Sequence, residues 1–401
     1  MASSRNTREI PAHILGPRIL LLITVLALLL IGFVMVYSAS TVEALSDGKD
    51  PASFLFDQLK FAAIGVVCAV VLWKFIPYGV WKGPFVWLIW IIAIALLVLT
   101  AVMGTEELGA QRWISLGPIS LQPSEFAKIA FVLMGARILD DYRQGELSTR
   151  DMFVQAALLI LIPILFLYQT QSDLGTTLIC FVGILAVMWV GEVPLRVILI
   201  ILGVGIVFAV FATVLTGYRS DRFVYLDPWN DGEGGYGTGY QIIHSFYAFS
   251  EGGLFGVGIG NSREKFLYLP EAETDFIFAI IGEELGLVGA FAVIALFMLL
   301  LYAGMHIARS APDNFGAMIA GSCIIMIVFQ AFLNIGCVIG ILPTTGKPLP
   351  FISSGGSSLI ATLIMVGLVL SVSKGADAPT IYDRRREDLR VVRTTQGRSR
   401  R

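Results

Sequence analysis

The most chemically informative residues of this chain are Asp275, Glu283 and Glu284, in the run LPEAETDFIFAIIGEELG over residues 269–286. The run closes a long polar segment and carries carboxylates into a stretch otherwise apolar enough to cross a membrane. A charged group at the centre of a membrane helix costs about 2.5–3.5 kcal/mol even on mild insertion scales, so ionisable residues there point to function. A positioned carboxylate can accept a proton as a general base, and Asp275, nearest the water interface, is the candidate. Thr274, just before it, is placed to cap the helix. Extending that helix through the run sets Glu283 about 12 Å deeper and about 80° around, and Glu284 about 180° from Asp275. The three then cannot serve one centre, and the deeper pair reads as polar contacts between helices.

Three further constellations lie on polar stretches. Gln111-Arg112-Trp113-Ile114 leads through Gln122-Pro123-Ser124 to Glu125 and Lys128. Pro123 suits a first helical turn, and Glu125 and Lys128, three apart, share a face. The plain alternative is a snorkelling lysine paired with a glutamate for stability. With Arg112 on the loop above, the group reads as a cation cluster for a diphosphate, since arginine offers bidentate contacts and lysine a point charge. Asp173 in QSDLGTT is either a helix N-cap or a site residue. The loop LPTTGKPLPFISSGGSS, 342–358, holds Lys347, Ser353, Gly355 and Gly356. Non-helical backbone at the membrane edge is tolerated where it lines a polar cavity, and N–H groups at the next helix start suit an anion. A re-entrant packing turn is the alternative.

Other patterns carry less. GEGGYG, 232–237, fits a dinucleotide fingerprint but follows no strand, so it reads as loop. His13, His244 and His306 are scattered, forming neither a triad nor a ligand set. Cys68, Cys180, Cys323 and Cys337 all fall in apolar runs and read as packing residues, without metal-ligand spacing.

These groups must be positioned by membrane helices. Of 401 residues 56% are hydrophobic and 14% charged, and the mean hydropathy is +0.79; soluble domains carry about 25% charge. Segments near the length of about 20 apolar residues that a bilayer requires lie at 17–38, 54–76, 84–103, 123–140, 152–169, 173–191, 196–216, 276–303, 315–342 and 355–373. The expected fold is all-α and polytopic, with ten transmembrane helices. The first span is too long for a signal-peptide core and is expected to be retained. Ten spans put both termini on one side, and the excess of Lys and Arg in the tails and the loops sharing their side makes that side cytoplasmic. The chain divides into a cytoplasmic N-tail (1–16), a membrane domain (17–373) with a large outer loop at 217–275 between spans seven and eight, and a basic cytoplasmic C-tail (374–401). Within the loop, Gln241–Ser250 has helical apolar spacing and is expected to lie along the membrane surface.

RWISLGPISLQPSEFAK (112–128), SDLGTT (172–177), LPEAETDFIFAIIGEELG (269–286) and LPTTGKPLPFISSGGSSL (342–359) together resemble the SEDS family (shape, elongation, division and sporulation), over nearly the whole chain and closer to its FtsW and SpoVE branch than to RodA. Two positions depart: Ser354 stands where an aromatic residue is commoner, and Glu273 where histidine is, an added charge expected to raise the pKa of Asp275. The resemblance implies a glycosyltransferase in the bacterial cytoplasmic membrane that polymerises lipid II into peptidoglycan on the outer face. It implies Asp275 as general base, and as partners the growing polyprenyl-diphosphate-linked glycan, a class B penicillin-binding protein transpeptidase and membrane proteins of the division complex, but no nucleic acid. Arg112, Lys128 and Lys347, with magnesium or manganese as a further candidate, would meet the leaving diphosphate. A lipid II flippase is the first alternative, disfavoured because polar residues crowd one face and no internal repeat is visible. A non-catalytic division scaffold is the second, supported only by the basic tail.

Overall fold

The structure is a computed structural model that describes residues 12–107, 110–116, 119–215 and 224–375. Most of both tails and part of the outer loop lie outside these residues. The helices are α1 (Ala12–Ser46), α2 (Ser53–Lys74), α3 (Phe85–Met103), α4 (Pro123–Arg143), α5 (Thr149–Ala156), α6 (Ile162–Gln171), α7 (Leu174–Val190), α8 (Leu195–Leu215), α9 (Tyr240–Gly252), α10 (Ile277–Arg309), α11 (Asn314–Val338) and α12 (Gly356–Gly375). The chain is a multi-pass membrane protein. Among the described residues seven helices are long and apolar enough to cross a bilayer: α1, α2, α3, α5–α6 taken together, α10, α11 and α12. α7 and the stretch Leu195–Val207 are shorter apolar helices.

The all-helical expectation needs correction. Between α3 and α4 the chain forms a small antiparallel sheet of β1 (Thr105–Glu107), β2 (Ala110–Leu116) and β3 (Ile119–Leu121), in that order. Ile114 pairs with Leu121, and Leu116 with Ile119. The apolar-length criterion ignores short strands, and these take in β-branched and aromatic residues at a polar rim. The sheet carries Arg112.

α4, α11 and α12 form the buried centre, and their apolar side chains join one continuous core. α4 brings Glu125, Lys128 and Asp140 into this centre, each buried. The fifth predicted span is one helix interrupted by a π turn, Ala157–Leu161. Pro163 has no N–H for the Leu159 carbonyl; that oxygen instead accepts from the Trp90 indole of α3 at 2.7 Å.

Candidate functional site

The polar residues of the site come from the turn before α10, the start of α7, strand β2, the loop before α12 and polar positions on the buried helices α4 and α11. Asp275 lies in the turn before α10, which begins at Ile277 with Phe276 as an N-cap that makes no side-chain bond. Thr274 does not cap the helix; its hydroxyl donates to Glu271 Oε2 at 2.7 Å. Because Asp275 precedes the helix, the wheel geometry linking it to Glu283 and Glu284 does not apply. Asp275 faces the loop before α12, where a methyl at Gly346 would stand 3.4 Å from Asp275 Oδ2.

That loop threads Lys347 inward. Its ammonium donates to Asp173 Oδ2 at 2.7 Å and stands 3.8 Å from Glu125 Oε1. Gly175 permits the approach, since a Cβ there would meet Lys347 Cγ at 2.6 Å. Asp173 also caps α7, accepting from the Thr176 N–H at 2.9 Å and its hydroxyl at 2.8 Å, so it is both cap and ion-pair partner. One turn into α4, Lys128 donates to Glu125 Oε2 at 2.8 Å and to Gln330 Oε1 of α11 at 2.9 Å. Lys128 does not snorkel: the whole side chain is buried.

Two lysines therefore balance two carboxylates inside the protein. A buried charge stripped of its partner is costly, and a pattern with each charge matched is what the interior tolerates. Arg112 on β2 spends two N–H groups on the carbonyls of Gln171 and Ser172, at 2.9 and 3.1 Å, at the turn where α6 gives way to α7. The cations expected for a diphosphate thus already have protein partners. Ser353 accepts from the Leu349 N–H at 2.8 Å and donates to the Thr274 carbonyl, tying the loop to the segment that bears Asp275. Gly356 opens α12 and packs against Phe61 of α2, where a Cβ would come within 2.6 Å of the ring; Gly355 makes ordinary contact with Pro348.

Two site residues escaped the sequence reading, Gln330 and Asn334 of α11. Asn334 Nδ2 donates to the backbone carbonyls of Asp275 at 2.7 Å and Lys347 at 2.8 Å. Gln330 Nε2 donates to the Pro348 carbonyl at 3.0 Å. Their signal was available: two amides four apart in an apolar span share one face and seek polar partners across helices.

Asp275 is partly exposed but closely packed by protein, which pushes its carboxyl up to about 6. Burial is the main cause; Glu271 adds to it, and Lys347 opposes it. The expected charged neighbour was Glu273, and this is corrected. Glu273 is buried and held up to about 8 by that burial and by Glu43 of α1, while the charge acting on Asp275 is that of Glu271. Glu273 still fixes the site through its backbone, accepting from the Ser354 N–H at 2.9 Å.

Glu283 and Glu284 build a separate cluster. Glu284 accepts from Ser38 of α1 at 2.6 Å and from Lys265 at 2.9 Å. Glu283 accepts from the Ser262 hydroxyl and from the Arg263 N–H at 2.6 Å. These are polar contacts, as expected, but to the outer loop as well as to a helix. The glycine-rich turn at 232–237 is filled from within: Asp231 occupies its ring of N–H groups, accepting from residues 233, 235, 237 and 239. Those bonds, the one from Gly235 foremost, hold the Asp231 carboxyl down to about 2.

Comparison with known proteins places the chain among relatives. The sequence profile of a family described as cell cycle protein, comprising FtsW, RodA and SpoVE, matches residues 18–377. Stage V sporulation protein E of Bacillus subtilis is 41% identical over 90% of this chain and 97% of its own length. The probable peptidoglycan glycosyltransferase FtsW of Trichlorobacter lovleyi is 40% identical, covering 89% of this chain and 93% of its own. Among solved structures, a chain from work on coordinated polymerization and crosslinking by a peptidoglycan synthase complex superposes with TM-score 0.71 at 29% identity, covering 89% of this chain and 97% of that one. RodA of Thermus thermophilus gives TM-score 0.64 at 30% identity over 88% and 95%.

Proposed function

We propose, from the premise that this chain belongs to the FtsW/RodA/SpoVE family of cell cycle proteins, that it is a peptidoglycan glycosyltransferase acting on lipid II with Asp275 as general base. The observation that carries the reading is the state of Asp275. It is the carboxylate beside the Lys347–Asp173–Glu125–Lys128 cluster that no lysine neutralises directly, and its pKa of about 6 suits proton abstraction near neutrality.

In this reading α1–α4, α5–α6, α7, α8 and α10–α12 are ten spans with both termini cytoplasmic, and Asp275 lies at the outer face of the bacterial cytoplasmic membrane. The acceptor sugar hydroxyl gives its proton to Asp275 as its oxygen attacks the anomeric carbon of the donor. The bond to the polyprenyl diphosphate breaks as the glycosidic bond forms, and the departing diphosphate carries away the electron pair. One displacement inverts an α-linked donor to a β-1,4 linkage, and no enzyme nucleophile is needed. Arg112 is the cation best suited to the diphosphate, because its fork keeps further N–H groups beyond the two it spends on carbonyls. Lys347 and Lys128 act at longer range by fixing the field around Asp275. A magnesium or manganese site is not favoured by the donor set: Asp173 and Glu125 are engaged by lysines, and among the described residues no three ligating side chains gather.

The structural neighbour from a synthase complex that coordinates polymerization and crosslinking supports a crosslinking partner; in this reading that partner is a class B penicillin-binding transpeptidase within the division complex. The test is direct. Purified protein with its transpeptidase partner receives lipid II in detergent; wild type yields glycan chains and Asp275→Asn does not, while partner binding persists. Equal polymerisation by the variant overturns the base assignment. Absence of chains under every partner condition, with lipid II crossing liposome membranes, favours transport instead.

A further inference from the structure

The outer loop carries an apolar surface that the reaction does not use. Leu254, Phe255, Ile259, Phe266, Leu267 and Tyr268 are all exposed, Phe255 at 83%. Their backbone is nevertheless pinned. The Val257 and Gly258 N–H groups donate to the carbonyls of Glu283 and Glu284, each at 3.0 Å, and the Leu287 and Val288 N–H groups donate to Gly253 and Leu254 at 2.9 and 3.2 Å. α10 opens to allow this at Gly286, whose φ of 69° and ψ of −170° break the helix. A Cβ at Gly256 would stand 2.2 Å from the Glu284 carbonyl, so the two backbones meet without side chains between them. The far end of the loop is held by the buried Lys265–Glu284 pair and by Ser262 on Glu283.

We infer that the segment Gly253–Tyr268 is a wedge seated in the outer leaflet, with the acyl–headgroup boundary as its occupant. Continuity argues for lipid: Leu254 is bonded at the level of Val288, and Leu287, Val288 and Phe291 begin the exposed apolar stripe of a helix long enough to span the bilayer. Phe255 follows Leu254 directly and is the most exposed apolar side chain of the segment. The polar side chains fit the same level. Lys265, Ser262, Glu264, Glu283 and Glu284 turn inward and are buried or satisfied, while Arg263 and Glu251 pair at 3.6 Å, with Arg263 largely exposed, where headgroups would lie. An apolar surface of this kind on a rigid scaffold marks an interaction site. The inference is independent of the reaction assigned to Asp275.

The experiment uses the full-length protein in vesicles of phosphatidylglycerol and phosphatidylethanolamine. A nitroxide is attached at Phe255→Cys in a Cys68→Ala background, since the other native cysteines are buried. Collision with oxygen is compared with collision with a water-soluble nickel chelate. The oxygen-to-nickel ratio at Phe255 is expected to match Val288→Cys and to exceed severalfold that at Tyr236→Cys, on the glycine-rich turn. A ratio equal to that at Tyr236 overturns the inference. So does a label that is wet in lipid alone and shielded only when a partner protein is added. Labels at Leu254→Cys and Ile259→Cys repeat the measurement if Phe255→Cys does not fold.

Discussion

Two clusters of buried acid and base lie on either side of the start of α10. In one, Glu284 and Glu283 meet Lys265, Ser38, Ser262 and the Arg263 N–H. In the other, Glu125 and Asp173 meet Lys128 and Lys347, and Asp275 stands beside them without a direct cation among the described residues. Both sit in an interior where unpaired charge is expensive. The first engages both of its carboxylates, Glu284 through Lys265 and Glu283 through the Ser262 hydroxyl and the Arg263 N–H, and holds a loop to a helix; the second leaves Asp275 at its open side with a raised pKa. Burial alone does not separate structural from chemical carboxylates in this protein. The surplus does.

Substitutions at the two clusters break or sharpen that contrast. Asp275→Asn is expected to lower lipid II polymerisation by about 10²–10⁴-fold, the usual share of a general base, while the unfolding midpoint stays near wild type; a gel of glycan products reads the first and a thermal melt in detergent the second. Glu284→Gln, in the closed cluster, should do the reverse. It strands Lys265 and costs on the order of 3–5 kcal/mol of stability, visible as a lowered melting midpoint. The folded fraction should keep a normal kcat, and a large loss of kcat at full stability would erase the distinction. Asn334→Ala removes two bonds of about 1 kcal/mol each and is expected to lower kcat roughly tenfold with little change in KM. A change confined to KM would place Asn334 on the substrate rather than on the two loops.

The smallest effect is in pH. Activity should rise through an acidic limb near 6 as Asp275 loses its proton. Glu271 raises that pKa, so Glu271→Gln is expected to move the limb to lower pH. Lys347 lowers it, so Lys347→Met moves the limb upward. Rate profiles from pH 4.5 to 8 would show this; a limb that stays put in both variants assigns it to another group.

Much of the architecture was readable from the sequence because long apolar runs admit few structures in lipid. The positions of α2, α3, α7 and α12 follow such runs to within a few residues. The site was readable in outline, since Glu125 and Lys128 break an apolar pattern where a charge must be explained, and Asp173 and Lys347 stand in polar motifs between apolar runs. What could not be read was pairing. Nothing local tells that Lys347 reaches Asp173 across 174 positions, nor that Glu271 rather than Glu273 acts on Asp275. The turn before Ile277 was missed because hydrophobic periodicity runs smoothly through Phe276, and the bend at Gly286 because a lone glycine in a helix is ordinarily tolerated.

One amide of α11 spans the backbones of residues 275 and 347. The spacing of acid and ammonium is thus dictated by a stiff rod in the middle of the molecule, and the two flanking loops inherit it. A force applied to that rod from α7, α10 or α12, all of which it touches, would displace both groups together, as a carriage moves its passengers.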